Sequence, residues 1–240
     1  MRNPTAAMLV IGDEILSGRT REGNAHHLAG ALAPLGIDLR EIRVIGDDHA
    51  GIVAAVRELA GRVDHLFTSG GIGPTHDDIT AEAVAEAMGA AIGVRDDARA
   101  ILEAHYARTG QELNEARLRM ARVPEGAELI ANPISAAPGF SIGNVHVMAG
   151  VPAIFEAMVA GLLPGLTGGA PLLSGSVMVE RGEGEIAAAL GALAAERPEL
   201  SFGSYPFTRP DGRHGTNLVV RGQEPAAVDA ALVRLQELFG

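Results

Sequence analysis

The 240-residue chain contains no cysteine. That removes disulfides, thiolate zinc sites, iron–sulfur ligation and cysteine nucleophiles from consideration. Lysine is missing as well, and all 19 basic residues are arginine. A Walker A lysine, a Schiff-base lysine and the phosphate-pairing lysine of protein kinases are therefore excluded, because each chemistry needs a side-chain amine. Basic charge is scarce overall: the formal net charge is -11, whereas a general nucleic-acid binder needs a basic stripe to displace phosphate counterions. No nucleic-acid partner is expected. Long apolar runs are also absent. The most apolar region, Val145 to Leu166, is interrupted by His146, Gly150, Pro152, Glu156 and Pro164, so no membrane span is expected. Met1-Arg2-Asn3-Pro4-Thr5 lacks the order of basic, apolar and small residues that makes a secretory signal. The expected location is cytoplasmic.

What is present, 47% apolar and 20% charged residues, suffices for a sizeable core in one large domain or a large and a small one. Ala6 to Ile11 reads as a continuously apolar strand of the kind found inside a parallel sheet. Asn24 to Leu35 places Leu28, Leu32 and Leu35 at helical spacing, with Gly36 beyond as a cap. Ile37 to Ile45 alternates as a strand, and a helix follows from His49 to Arg62. His65 to Ser69 is the third strand; it opens onto Gly70-Gly71-Ile72-Gly73, after which Thr80 is placed to cap the next helix. This order predicts a mostly parallel sheet in a three-layer α/β domain, with helices on both faces. Arg95 to Arg122 reads as charged helix. From Leu129 to Met148 short strands are expected, with a hairpin turn at Gly143-Asn144. Small, turn-forming residues around Leu166 to Pro171 mark a linker. Two domains are expected, 1–168 and a small α+β domain at 172–240.

Ligands of parallel α/β sheets sit at the carboxyl ends of the strands. Three turns fall there, at 12–14, 46–48 and 70–78, and they are expected to share one cleft. Three glycines in four residues let main-chain N–H groups approach an oxygen-rich ligand. A third glycine in dinucleotide-fingerprint position is lacking, because Pro74-Thr75-His76 follows. Asp77 and Asp78 would repel a phosphate unless a magnesium-like cation lay between them; alternatively, one of the two caps the following helix. Asp13, Glu14, Asp47 and Asp48 repeat the acidic pattern, and surface turn chemistry is the competing explanation. Gly139-Phe140-Ser141-Ile142-Gly143 fits the hydrolase elbow G-x-S-x-G, but a strand follows where the elbow needs a helix, so Ser141 is assigned to a strand.

Four blocks together resemble the molybdopterin-binding domain family: Val10 to Gly18, Thr68 to Thr80, Asn132-Pro133 and Met148 to Pro152. The resemblance spans roughly residues 5–168. Within the family, the chain is most similar to the amino-terminal part of the competence/damage-inducible CinA proteins and to the amino-terminal domain of eukaryotic FAD synthases. Gly203-Ser204-Tyr205-Pro206 resembles the small domain that follows in those proteins. The amidase domain that ends many CinA proteins has no counterpart in this sequence, and no deamidase activity is expected.

The resemblance implies a phosphorylated pterin such as molybdopterin, or a nucleotide, held by Gly12, Asp13, Ser17, Ser69, Gly70, Gly71, Gly73, Pro74, Thr75, Thr80, Asn132, Gly150 and Pro152. It further implies Asp47 and Asp78 as catalytic residues, and a divalent cation, magnesium or cobalt, on Asp47, Asp77 and Asp78. The CinA branch implies metal-dependent cleavage of nucleotide pyrophosphates such as ADP-ribose or FAD. The adenylyltransferase branch implies transfer of AMP to the pterin phosphate in molybdenum cofactor biosynthesis, but Ile72 stands where that branch has threonine. A non-catalytic ligand-binding or partner module is the third alternative. Relatives of this kind imply a homo-oligomer, a dimer or trimer.

Overall fold

Strand β1 (Thr5–Ile11) is buried along its whole length because it lies between two parallel neighbours and is covered on both faces. Its side chains alternate between the two. Ala7, Leu9 and Ile11 enter one core cluster, and Ala6, Met8 and Val10 enter the other. The remaining elements of a computed structural model describing residues 2–240 follow in chain order. They are α1 (Asp13–Leu16), α2 (Asn24–Leu32), β2 (Asp38–Ile45), α3 (His49–Ala60), β3 (His65–Ser69), α4 (Thr80–Met88) and β4 (Ile92–Val94). Next come α5 (Asp96–Thr109), α6 (Glu115–Leu118), β5 (Arg122–Pro124), β6 (Glu128–Ile130), β7 (Gly139–Ile142), β8 (Val145–Met148) and α7 (Pro152–Leu162). Last are β9 (Leu173–Val179), α8 (Glu183–Glu196), β10 (Ser201–Thr208), β11 (His214–Gly222) and α9 (Pro225–Phe239).

The chain divides into two units, Met1–Gly169 and Ala170–Gly240. The first is a mixed α/β unit around a six-stranded sheet in the order β2-β1-β3-β8-β7-β6. The run from β2 to β8 is parallel and the β7 and β6 pairings are antiparallel. Ile52, Val56 and Leu59 of α3 and Val84 of α4 pack on one face, while Leu28 and Leu32 of α2 and Phe155 and Met158 of α7 cover the other. Each of these fully buried side chains contributes about 1.5–3 kcal/mol. In the second unit, α8 and α9 pack on an antiparallel sheet, β10-β11-β9, around Ile186, Leu218, Val220 and Leu235. No helix among the described residues is long and apolar enough to cross a membrane.

Several elements depart from expectation. Helix α2 stops at Leu32, and Ala33–Leu35 tightens into a 3-10 turn with Pro34 in its first turn. Continuous helix from 95 to 122 does not form: α5 ends at Gly110, φ 69, and the chain returns through α6 to pair β5 with β4 antiparallel. Asp13 and Glu14 begin a short helix rather than a turn.

At the amino-terminal end of the parallel strands, His146 is 5% exposed. Its Nδ1 lies 2.9 Å from the Ser141 hydroxyl and its Nε2 lies 3.2 Å from His65 Nδ1, with the Phe67 ring against it. Ser141 is thus a strand residue bonded to its neighbour strand. Burial, and then the adjacent His65, push the His146 imidazole down to about 4, and burial lowers His65 as well. The unfolded chain therefore takes up these protons below about 6.5 while the fold resists them. Stability is fully present above that value and is lost as pH falls toward 4. For His146 alone, the interval from 6.5 to about 4 amounts to about 3 kcal/mol. Urea denaturation at a series of pH values should show this slope in the wild type and a flatter one in His146→Gln; equal slopes would contradict the assignment.

Candidate functional site

Because β1, β2, β3 and β8 run parallel, the segments leaving Ile11, Ile45, Ser69 and Met148 emerge at one end of the sheet. There they enclose a cleft of about 410 Å³. The loop after β3, from Gly70 to Pro74 with Asp77 and Asp78, stands between Gly12, Glu14 and Asp47, which follow β1 and β2 on one side, and the Ala149–Val151 segment, which follows β8 on the other; Asn132 also lines the cleft. The convergence of three turns expected from the sequence is present.

The loop owes its shape to glycine. Gly70 has φ 105 and Gly71 φ 68, a region that side chains other than glycine enter with strain. A Cβ on Gly70 would also collide with the Ile11 carbonyl, and one on Gly71 with the Thr80 hydroxyl. Not every amide of the loop is free: the Gly70 N–H donates to the Met148 carbonyl at 3.1 Å, which ties the loop to β8. Gly71, Ile72 and Gly73 give their main-chain N–H groups to no protein acceptor among the described residues. They are the available anion donors.

The acids divide by role. Asp47 Oδ2 accepts from the Asp13 N–H at 2.9 Å. Burial pushes its carboxyl above the usual range against that bond, and the charges of Asp13, Glu14 and Asp77 push it the same way as burial. Its neighbour Asp48 faces elsewhere, capping α3 at Gly51 N over 2.6 Å. Asp78 closes its own loop, Oδ2 accepting from Thr75 N at 2.8 Å and Thr75 Oγ1 at 2.5 Å. Neither Asp77 nor Asp78 caps α4, which begins without a side-chain cap.

Among the residues assigned from the sequence, Gly12, Asp47, Gly70, Gly71, Gly73, Pro74, Asp77, Asp78, Asn132 and Gly150 line the cleft. The other six do not. Asp13 contributes its amide to Asp47. Ser17 caps the end of α1 and is exposed. Thr75 braces the loop through Asp78, and Pro152 opens α7 on the surface. Ser69 is buried against Asn24. Thr80 is the first residue of α4 rather than its cap; its N–H donates to the Gly71 carbonyl and its buried hydroxyl has no partner. Asn132 spends all its polar capacity on its own loop, bonding Ile134 N, Ser135 N, Ser135 Oγ and Ala137 O. Met120, Ser135, Ala137 and Ile154 also line the cleft and were not singled out in the sequence. They come from segments with no polar motif.

No arginine or histidine is among the described residues that line the cleft. Arg119 and Arg122 line a smaller pocket that shares Gly71, Ile72 and Gly73, where Arg119 donates to the Asp78 carbonyl at 3.3 Å and Arg122 pairs with Glu82. The cleft therefore offers main-chain donors and four carboxylates with no side-chain cation between them. Oxygen ligands and a destabilised carboxylate suit a hard divalent cation. No three acidic or histidine side chains among the described residues form a ligand set on their own. A magnesium-like ion normally takes one or two carboxylates and completes its shell with phosphate oxygens and water, which this arrangement can supply.

Residues 7–168 match the family model described as "Probable molybdopterin binding domain", and residues 171–240 match the one for the middle domain of FAD synthase. A protein of Pyrobaculum calidifontis is 35% identical over 98% of this chain and 96% of its own length. A CinA-like protein of Desulfosudis oleivorans is 38% identical over 66% of this chain, but the match spans only 40% of that protein. Among solved structures, the crystal structure of the protein CinA, of unknown function, from Thermoplasma acidophilum is 33% identical. It covers 67% of this chain and 98% of its own, with a TM-score of 0.62.

Proposed function

The chain belongs to the molybdopterin-binding domain family, and from that premise we propose that its cleft holds a phosphorylated pterin or nucleotide as a divalent-metal complex and hydrolyses a nucleotide pyrophosphate such as ADP-ribose or FAD. One observation carries this reading: the cleft presents unpaired main-chain donors at Gly71–Gly73 beside Glu14, Asp47, Asp77 and Asp78, with no basic side chain in its lining. A phosphate seated on those amides would face the carboxylates across the cleft. The two like charges repel at close range, so the ligand and the protein need a cation in common.

Asp47, Asp77 and Asp78 are the residues that would hold magnesium or cobalt, Asp78 while also accepting from Thr75. A cation bound there would neutralise phosphate charge and polarise water. The protein's own groups do the rest. Gly71, Ile72 and Gly73 orient the phosphate, Asp13 fixes Asp47 through its amide, and Val151 and Ile154 give a planar base or pterin ring an apolar surface. The test is incubation of the purified protein with ADP-ribose or FAD in magnesium or cobalt, following AMP release. Metal-dependent release supports hydrolysis. If pyrophosphate is released from ATP, and only when molybdopterin is supplied to take up the AMP, adenylyl transfer replaces it; binding without product leaves a ligand-binding module.

A further inference from the structure

Asn24, at the start of α2, is 4% exposed and sits 45 residues from Ser69 and 126 from Gly150 in sequence. Its Nδ2 donates to both, to Ser69 Oγ at 2.7 Å and to the Gly150 carbonyl at 2.8 Å. A carbonyl can only accept, so the bond to Gly150 fixes which end of the amide is nitrogen. The Ser69 hydroxyl is then an acceptor from Asn24, and its own proton has no acceptor among the described residues. Ser69 immediately precedes Gly70, and Gly150 lies against Gly70, close enough that a Cβ on Gly150 would stand 3.2 Å from the Gly70 Cα. Asn24 thus binds the two backbone segments that meet at the floor of the cleft.

The amide oxygen, Asn24 Oδ1, is buried without a donor. An unsatisfied buried acceptor is destabilising, and an apolar residue at this position would avoid it. The asparagine is explained by its two donated bonds.

We propose that Asn24 is the positioning residue of this cleft: by bonding Ser69 and Gly150 together it holds the start of the glycine loop against the Gly150 segment, and so sets where the amides of Gly71–Gly73 meet a bound phosphate. The inference rests on the phosphate site proposed above.

Calorimetric titration of ADP-ribose in magnesium tests it on the wild type, Asn24→Ala, Ser69→Ala and the double variant. Displacing the loop costs about one charge-assisted hydrogen bond to the phosphate, about tenfold in affinity, so Asn24→Ala should bind about tenfold more weakly, and Ser69→Ala, which keeps the bond from Asn24 to Gly150, should lose less. Because Ser69 acts only through Asn24, the double variant should bind no worse than Asn24→Ala. Asn24→Asp, the same size, is read where Asn24→Ala does not fold. Its carboxylate cannot donate to the Gly150 carbonyl, so the tie between the two segments breaks and the same loss is expected. Multiplying losses in the double variant, or full affinity in Asn24→Ala or Asn24→Asp, would overturn the inference alone. A wild type that does not bind ADP-ribose would overturn the phosphate site and this inference together.

Discussion

Gly70→Ala is expected to destabilise the protein by about 3 kcal/mol or more and to abolish ligand binding in the cleft. Two costs combine. The residue has φ 105, where an L side chain is strained, and its new Cβ would run into the Ile11 carbonyl. That oxygen belongs to β1, the strand buried along its whole length, so the main chain of the sheet rather than a mobile side chain would have to move. Moving Gly70 instead would break its bond to Met148 and displace the donors that follow it. Gly71→Ala is a useful contrast: its Cβ meets the Thr80 hydroxyl, a side chain with no partner. A smaller loss, about 1–3 kcal/mol, is expected there. Urea denaturation of both variants measures the difference, and a Gly70→Ala protein as stable as the wild type would refute the strain.

Asp47→Asn is expected to abolish metal-dependent turnover while leaving the fold as stable as before or more so at neutral pH. The amide oxygen can still accept from the Asp13 N–H, as the carboxylate does at 2.9 Å. What disappears is a charge that the fold disfavours through burial and the neighbouring Asp13, Glu14 and Asp77. A carboxyl raised in the folded state weakens the fold as pH rises from its unfolded value, near 3.8, through the folded one. Above that window the wild type carries the penalty and the Asp47→Asn variant does not. Thermal unfolding at pH 7, with and without magnesium, checks both halves: the wild type should gain stability from the ion and the variant should not. A destabilised variant that still responds to magnesium would remove Asp47 from the cation site.

Much of this was legible in the residues because the decisive signals are local. Strand β3 ends in Ser69 and is followed at once by glycine, so its loop and its place at the carboxyl edge could be read together. Helices α8 and α9 begin at Glu183 and Pro225, where a glycine or proline and an apolar period set the boundary. The β4–β5 ladder could not be read: it is three residues on each side, 28 or more apart in sequence, and too short to show alternation. Charged residues around Gly110 concealed the end of α5. In the cleft, the motif located the acids but not their division of labour. Adjacent aspartates look alike in sequence, and only the fold turns Asp47 to the cleft and Asp48 to the cap of α3. Asn24 was invisible for the same reason, since its two partners lie on other strands' ends.

Calorimetric titration of the wild-type protein with ADP-ribose, with magnesium present and with the metal chelated, reaches the central claim most directly. Unpaired amides facing four carboxylates predict measurable binding with the metal and at least tenfold weaker binding without it, in line with a like-charge repulsion of a few kcal/mol. Equal affinity in chelator would contradict the account, because the phosphate would then have been held without any shared cation.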